Sequence, residues 1–370
     1  MSKRRGAVPP PDRTAPAVLS PKGEGSIYID LWDYYDTKYP FQLFIGGYAM
    51  GKSFSALRGA VARGEPFIYM RRTETAREEC TCSKTGGDEG NPFNPINEVE
   101  GWDVGLHPIS KKMSGIFRRV RDEETGLPRP AGAPIGISVA LPSLAKIRGA
   151  GLARNRLIIY DEFIKEAHEP KMTGEFRALM RGYETVNRNK EFGGDEPTHL
   201  WLISNAEDIY NPIFIGLGIV SDCERMALKG QEHKYYRERG LAVHLLKSSP
   251  EFLKRKSETA IMKLMAGTQY YDVGLSNQFA NNDFSQVRYQ RLTGWRPYCA
   301  LEHAYVYEKK GEGKLHVSYQ AGVCPKYRAT GSDELLFRRR HALALWDYYV
   351  EGNLTFETLE LKEFILEHIR

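Results

Sequence analysis

The chain has 370 residues, with 52 Lys and Arg against 47 Asp and Glu and a formal charge of +5 at pH 7. That length can bury a large core and suits two domains better than one, and the slight basic excess is compatible with a polyanionic partner without approaching the charge of a histone-like protein. No apolar run approaches the roughly 18 residues of a membrane span, the start lacks a secretory signal, and five scattered cysteines do not form a disulfide framework, so a cytoplasmic protein with no membrane partner is expected.

Residues 1–24 are rich in Pro, Gly, Lys and Arg without an apolar period, and they read as a flexible basic tail. The apolar run 41–45 predicts a strand, and it leads into Gly46-Gly47-Tyr48-Ala49-Met50-Gly51-Lys52-Ser53, a complete G-x-x-x-x-G-K-S phosphate loop, with helix-compatible residues 54–63 after it. Gly46 and Gly51 permit the tight turn, and the following helix adds partial positive charge at the triphosphate. Lys52 is expected to reach the β- and γ-phosphates of ATP and Ser53 to ligate Mg²⁺. Residues 67–70 predict a second strand. Cys80 and Cys82 read as thiols in a loop rather than half a zinc site. A loop is expected over 84–97 and an inserted hairpin over 113–141.

Leu157-Ile158-Ile159-Tyr160 runs into Asp161-Glu162, which places two acids at the C-terminal edge of a strand beside the loop. Asp161 is expected to hold Mg²⁺ through water and Glu162 to polarise the attacking water. The strand pattern 199–204 ends in Asn205, a candidate to sense the γ-phosphate. This pairing points to the ring-forming branch of phosphate-loop ATPases, the ASCE type, in which a neighbouring subunit supplies a cation. Arg188 and Lys190 are available for that role, and a planar guanidinium suits phosphate oxygens better than a point charge. Past residue 222, segments 229–239 and 250–265 read as a small helical subdomain. Residues 298–307 and 315–319 predict a hairpin, and 335–349 and 356–369 predict closing helices. The divisions expected are a tail at 1–24, an α/β domain with a mainly parallel sheet at 25–225, a helical linker or lid at 226–267, and a second α/β domain at 268–370.

Phe67-Ile68-Tyr69-Met70-Arg71-Arg72, Tyr160-Asp161-Glu162-Phe163-Ile164, Thr185-Val186-Asn187-Arg188-Asn189, Leu202-Ile203-Ser204-Asn205-Ala206 with Asn211-Pro212, and Ser276-Asn277-Gln278-Phe279 follow the phosphate loop in that order. Together they resemble the DNA-packaging ATPases of phi29-type bacteriophages, from about residue 41 to the C-terminus. The resemblance implies a homo-oligomeric, pentameric ring that docks on the portal of an empty procapsid in the host cytoplasm, works with a packaging RNA, drives double-stranded DNA inward and is absent from the mature virion. It implies a ribonuclease H-like second domain without nuclease activity. It carries residues 46–53, Asp161 and Glu162 over as the ATP site, adds Arg148 as a third candidate for the cation acting between subunits, and places Lys165 toward DNA. Where a relative has lysine two residues after the Arg-Arg pair, this chain has Glu74. Lys111 and Lys112 are candidates for sequence-independent phosphate contacts, as are the pairs or runs at 118–119 and 338–340.

Two other readings stay open on the residues. A large terminase with a working nuclease needs three or four converging carboxylates, and Glu302, Glu308 and Glu312 on the expected hairpin do not end its first strand as such a site would require. A slowly hydrolysing switch protein would lack a catalytic glutamate, against the presence of Glu162.

Overall fold

The computed structural model describes residues 27–82, 87–144, 146, 152–166, 169–267, 279 and 282–369. The basic tail, Arg148 and the segment 276–278 lie outside the described residues.

In chain order the elements are β1 (Phe41–Gly46), α1 (Lys52–Arg63), β2 (Phe67–Arg71), α2 (Glu74–Glu79), α3 (Asn94–Glu100), β3 (Val104–Ser110), β4 (Met113–Arg121), β5 (Pro128–Ala140), α4 (Leu141–Leu144), β6 (Leu157–Asp161), α5 (Glu175–Asn187) and β7 (His199–Asn205). There follow α6 (Pro212–Leu217), α7 (Val220–Lys229), β8 (His233–Tyr236), β9 (Leu241–Leu245), α8 (Pro250–Ser257) and α9 (Ala260–Leu264). The last are β10 (Arg296–Leu301), β11 (Ala304–Lys309), β12 (Lys314–Ser318), β13 (Lys326–Tyr327), α10 (Gly331–Phe337), α11 (Leu343–Val350), β14 (Leu354–Phe356) and α12 (Leu359–Ile369).

These elements form two compact units. The first holds a nine-stranded sheet in the order β3-β4-β5-β2-β6-β7-β1-β9-β8. From β5 to β9 every neighbouring pair is parallel, and the β3-β4-β5 edge runs antiparallel. The continuous apolar runs of β1, β6 and β7 are buried, as parallel strands covered on both faces must be. On one face, α1 lays Ala56, Leu57, Ala60 and Val61 against Phe44, Phe67, Ile159 and Trp201 in one core.

The structure alters several expectations. Residues 113–141 are not an insertion: the 136–140 half of β5 pairs with β2 from Phe67↔Gly136 to Arg71↔Ala140 and so belongs to the main sheet. Within the stretch 229–239 expected to be helical, residues 233–236 are strand β8, between the end of α7 at Lys229 and a 3-10 turn at Arg237–Arg239; β9 follows and pairs beside β1, which satisfies the backbone of Phe41 to Ile45 and buries Leu241, Ala242 and Val243. Of the expected helical linker 226–267, the start is the end of α7, in the second unit, and α8 and α9 are helices of the first unit with β8 and β9 between. Within the expected loop 84–97, Asn94 begins α3, helped by a proline in its first turn. Cys80 and Cys82 are buried.

The second unit takes in α6, α7 and the chain from 279 on, around a five-stranded sheet ordered β13-β10-β11-β12-β14. The single strand expected over 298–307 is two strands, β10 and β11, joined at a tight turn where Glu302 adopts φ 49° and its carboxylate accepts the Ala329 N–H at 3.0 Å. Glu302 is therefore a turn residue rather than a strand residue. Phe356 ends strand β14 instead of opening the last helix, since β14 pairs with β12 and buries Leu354 and Phe356 in the unit's core.

Candidate nucleotide-binding site

The loop between β1 and α1 is shaped by close approach as much as by torsion. Gly51, at the N-terminus of α1, has φ 90°, and Ala49 has φ 62°, both left-handed. Gly46 keeps an ordinary φ, yet a Cβ there would stand 2.8 Å from Met50 Sδ and 3.1 Å from Leu246 Cβ, so the loop can close only over a glycine.

Lys52 curls back beneath the loop. The residue is 7% exposed, and its ammonium donates to the carbonyl of Gly47 at 2.6 Å, to that of Gly46 at 3.3 Å and to Asn205 Oδ1 at 3.0 Å. Burial pulls its pKa down to about 8, with Asp161 and Glu162 acting in the opposite sense. Asn205 reaches Lys52 because β7 lies between β1 and β6 and Gly46 pairs with Asn205 in register.

One pair further along, the end of β6 brings Asp161 under the start of α1. The Ser53 hydroxyl donates to Asp161 Oδ1 at 2.9 Å, and the Tyr69 hydroxyl donates to Asp161 Oδ2 at 3.1 Å. Glu162 ends the strand in the left-handed region, φ 54°, a conformation that costs a non-glycine residue roughly 1–2 kcal/mol. That turn carries its carboxylate out to solvent, where Arg71 Nη2 meets Oε2 at 2.5 Å. Arg71 also donates to the Tyr69 hydroxyl at 3.0 Å and stands 3.6 Å from Asp161 Oδ2. Its neighbour Arg72 turns the other way, into a buried pair with Glu175 at 3.0 Å, which fixes the first turn of α5.

Residues 48–54, Asp161, Glu162, Ser204 and Asn205 line a cleft of about 340 Å³. A cavity of about 390 Å³ at the opposite ends of the strands, beside Trp32, Tyr35, Arg63 and His199, is a stacking arrangement, with the Arg63 guanidinium 4.8 Å from the Tyr35 ring centre. The first cleft has the chemistry of an anion site: a loop leading into a helix N-terminus, a buried ammonium, and a hydroxyl and carboxylate side by side. Ser53 and Asp161 fit a magnesium ion, because both are hard oxygen donors already within hydrogen-bonding distance of each other.

Of the other sequence candidates among the described residues, none lines this cleft. Arg188 is exposed at the C-terminus of α5, with φ 47°. Lys190 is tied down, its ammonium donating to the Asn155 carbonyl at 2.7 Å and to Thr198 Oγ1 at 2.8 Å, just before β6 and β7 begin. Lys111 and Lys112 form the exposed turn between β3 and β4. Arg119, in one of the basic pairs, is held by Asp88 and Asp103 at 2.6 Å each and is a structural ion rather than a free surface charge. Lys165 donates to the Glu166 carbonyl at 3.2 Å, within the second unit. Sequence reasoning assigned no role to Tyr69, Arg71 or Lys256, all of which the fold brings to the loop or its acids. The Arg-Arg pair at the end of β2 was the visible signal for Arg71, and nothing local marks Lys256.

The fold and cleft define a mixed α/β protein whose large, mainly parallel sheet presents a glycine-rich loop, a buried lysine and two carboxylates at the C-terminal edge of its strands. Comparison with known proteins agrees: residues 135–292 match the family model described as the podovirus DNA encapsidation protein (Gp16). The chain is 26% identical over 244 residues to a DNA packaging protein of Bacillus phage B103, covering 64% of each chain. It is 28% identical over 258 residues to that of Bacillus phage phi29, covering 66% of this chain and 62% of the relative. The matches thus span somewhat under two thirds of those relatives' own length. A solved chain described as the bacteriophage phi29 viral genome packaging motor assembly shares the fold, with a TM-score of 0.54 at 17% identity, covering 93% of this chain and 100% of that one. The chain is thus similar to the phi29-type DNA packaging proteins over much of its length.

Among the described residues, no group of three or more His, Cys, Asp or Glu could hold a metal ion, and no helix is long and apolar enough to cross a membrane.

Proposed function

We propose that this chain is the ATPase subunit of a phage motor that drives double-stranded DNA through the portal of a procapsid in the host cytoplasm. The observation that carries the ATPase reading is the convergence of Lys52, Ser53, Asp161, Glu162 and Asn205 on one cleft from three adjacent parallel strands and the helix after the first. The DNA-packaging reading rests on the homology.

ATP is the substrate. In the state described, the loop carbonyls and Asn205 hold the Lys52 ammonium where it can turn to the β- and γ-phosphates once they enter. Ser53 and Asp161 would hold magnesium, which when bound neutralises charge on the phosphate oxygens. Tyr69 and Arg71 hold Asp161 in place for that role. Glu162 aligns and polarises the attacking water, and Arg71 Nη2 holds its Oε2 at the rim of the cleft. Asn205, released when Lys52 turns to phosphate, is free to bond the γ-phosphate or the water.

The cation that completes the site comes from a neighbouring subunit of a homo-oligomeric ring, taken to be pentameric and assembled with a packaging RNA. Arg188 is the favoured donor over Lys190, since Arg188 is exposed while Lys190 is spent on Asn155 and Thr198. Arg148 is the third candidate. Lys165, Lys111 and Lys112 are the proposed DNA contacts. The second unit is read as a ribonuclease H-like domain without nuclease activity, a reading supported by the β10-β11-β12 meander with β13 returning parallel beside β10.

The test is Glu162→Gln. The amide keeps the shape but cannot polarise water, so nucleotide binding is expected to persist while turnover drops by 10²-fold or more, on the order of losing a major catalytic group. Retention of more than about a tenth of wild-type hydrolysis would remove Glu162 from the mechanism.

A further inference from the structure

A cation that the mechanism above does not use stands beside the loop. Helix α8 is firmly seated: the Ser249 oxygen accepts the Phe252 N–H at 3.1 Å, and its hydroxyl donates to the Ile27 carbonyl at 3.2 Å. Phe252 is buried in the same core as Met50 and Leu57, with its ring edge-on to Tyr28 at 5.9 Å. Four residues on, the same helix face presents Lys256. Its ammonium lies 5.6 Å from the centre of the Phe252 ring and donates to the carbonyl of Tyr48 at 3.0 Å.

Two ammonium groups therefore end on carbonyls of residues 46, 47 and 48 of one loop, Lys52 from below and Lys256 from α8. Lys256 is among the charges that hold the Lys52 pKa down, and burial lowers its own. Two like charges converging on a partly dry loop repel each other, and a bound polyanion turns that repulsion into attraction. A strut for Tyr48 would need only a hydrogen-bond donor, whereas the site supplies a full charge on a long flexible stem.

We propose that Lys256 is a second phosphate-contacting cation of this loop, delivered from α8 to the polyphosphate chain of the nucleotide. The inference deepens the ATP-site reading and rests on it. Moving from the Tyr48 carbonyl to a phosphate oxygen requires only rotation of the lysine side chain, and it makes α8 sense whether the cleft is filled.

The experiment is calorimetric titration of the full chain with a non-hydrolysable ATP analogue, comparing wild type, Lys256→Gln and Lys256→Arg, with melting curves of each protein without nucleotide. Glutamine can still donate to the Tyr48 carbonyl, so a purely structural strut would survive it. The expected result is that Lys256→Gln weakens the analogue about tenfold or more while Lys256→Arg stays within about threefold, at unchanged melting temperature, as a charge-assisted phosphate contact requires. Wild-type affinity in Lys256→Gln, or equal loss in both variants, overturns the proposal. Wild-type protein that binds no analogue overturns the nucleotide reading itself, and this inference with it.

Discussion

Lys52 makes the site's sharpest residue-scale expectation, because its lowered pKa sets the pH window in which it can hold phosphate. The buried ammonium of the free protein loses its proton near pH 8, below its ordinary 10.5. Bound phosphate favours the charged form, so binding above pH 8 must take up a proton. Affinity for the ATP analogue should therefore be flat below pH 8 and fall by up to tenfold per unit above it, measured by titration from pH 7 to 9.5. Folding stability has the opposite sign, since the unfolded chain binds more protons between pH 8 and 10.5 and this residue's contribution rises with pH there. Lys52→Ala should bind the analogue weakly and lose the steep decline above pH 8. An identical decline in that variant would assign the titration to another group.

Helix α1 shows how an element can depend on one missing side chain. Gly59 lies mid-helix, where alanine would ordinarily gain about 1 kcal/mol from propensity. Here a Cβ would fall 1.9 Å from Trp32 Nε1, whose N–H donates to the Ser55 carbonyl at 3.1 Å. Trp32 in turn packs on Trp201 with ring centres 4.6 Å apart. Gly59→Ala should thus destabilise the protein, by the roughly 1–3 kcal/mol typical of overpacking, in chemical denaturation. A stabilised variant would mean that Trp32 has room to withdraw. Lys190 is a similar case just past the end of α5: its alanine variant should lose stability, because the Asn155 carbonyl and Thr198 hydroxyl lose their ammonium partner and keep only their long 3.4 Å bond to each other, whereas Arg188→Ala on the surface should not.

At the scale of the assembled molecule, a trans-acting cation has a signature that no single subunit can produce. Arg188→Ala should be inactive alone yet retain a competent cleft, while a Glu162→Gln subunit retains a competent Arg188. Mixing the two dead proteins should restore hydrolysis, and a finger contributing on the order of 10³-fold makes that rescue visible above background. Failure of the mixture in rings shown to form, with rescue by Arg148→Ala in place of Arg188→Ala, would move the role to Arg148.

Much of the cleft was legible in the sequence because phosphate binding is solved locally. The end of a strand, a short loop and the start of a helix are contiguous in the chain, so residues 46–53 mark the cleft, and the apolar run into Asp161-Glu162 does the same for its acids. The parallel character of the sheet was legible for a similar reason, since strands buried on both faces carry no polar alternation. What only the tertiary structure decided depends on pairing between distant segments. Register places Asn205 opposite Gly46 and Arg71 within reach of Glu162 across 91 positions. Residues 233–236 are strand β8 rather than helix, and the edge of β1 receives β9 after them. Lys256 reaches the loop because Phe252 anchors its helix in the core under Tyr28, a contact between residues 224 apart in the chain that no local pattern encodes.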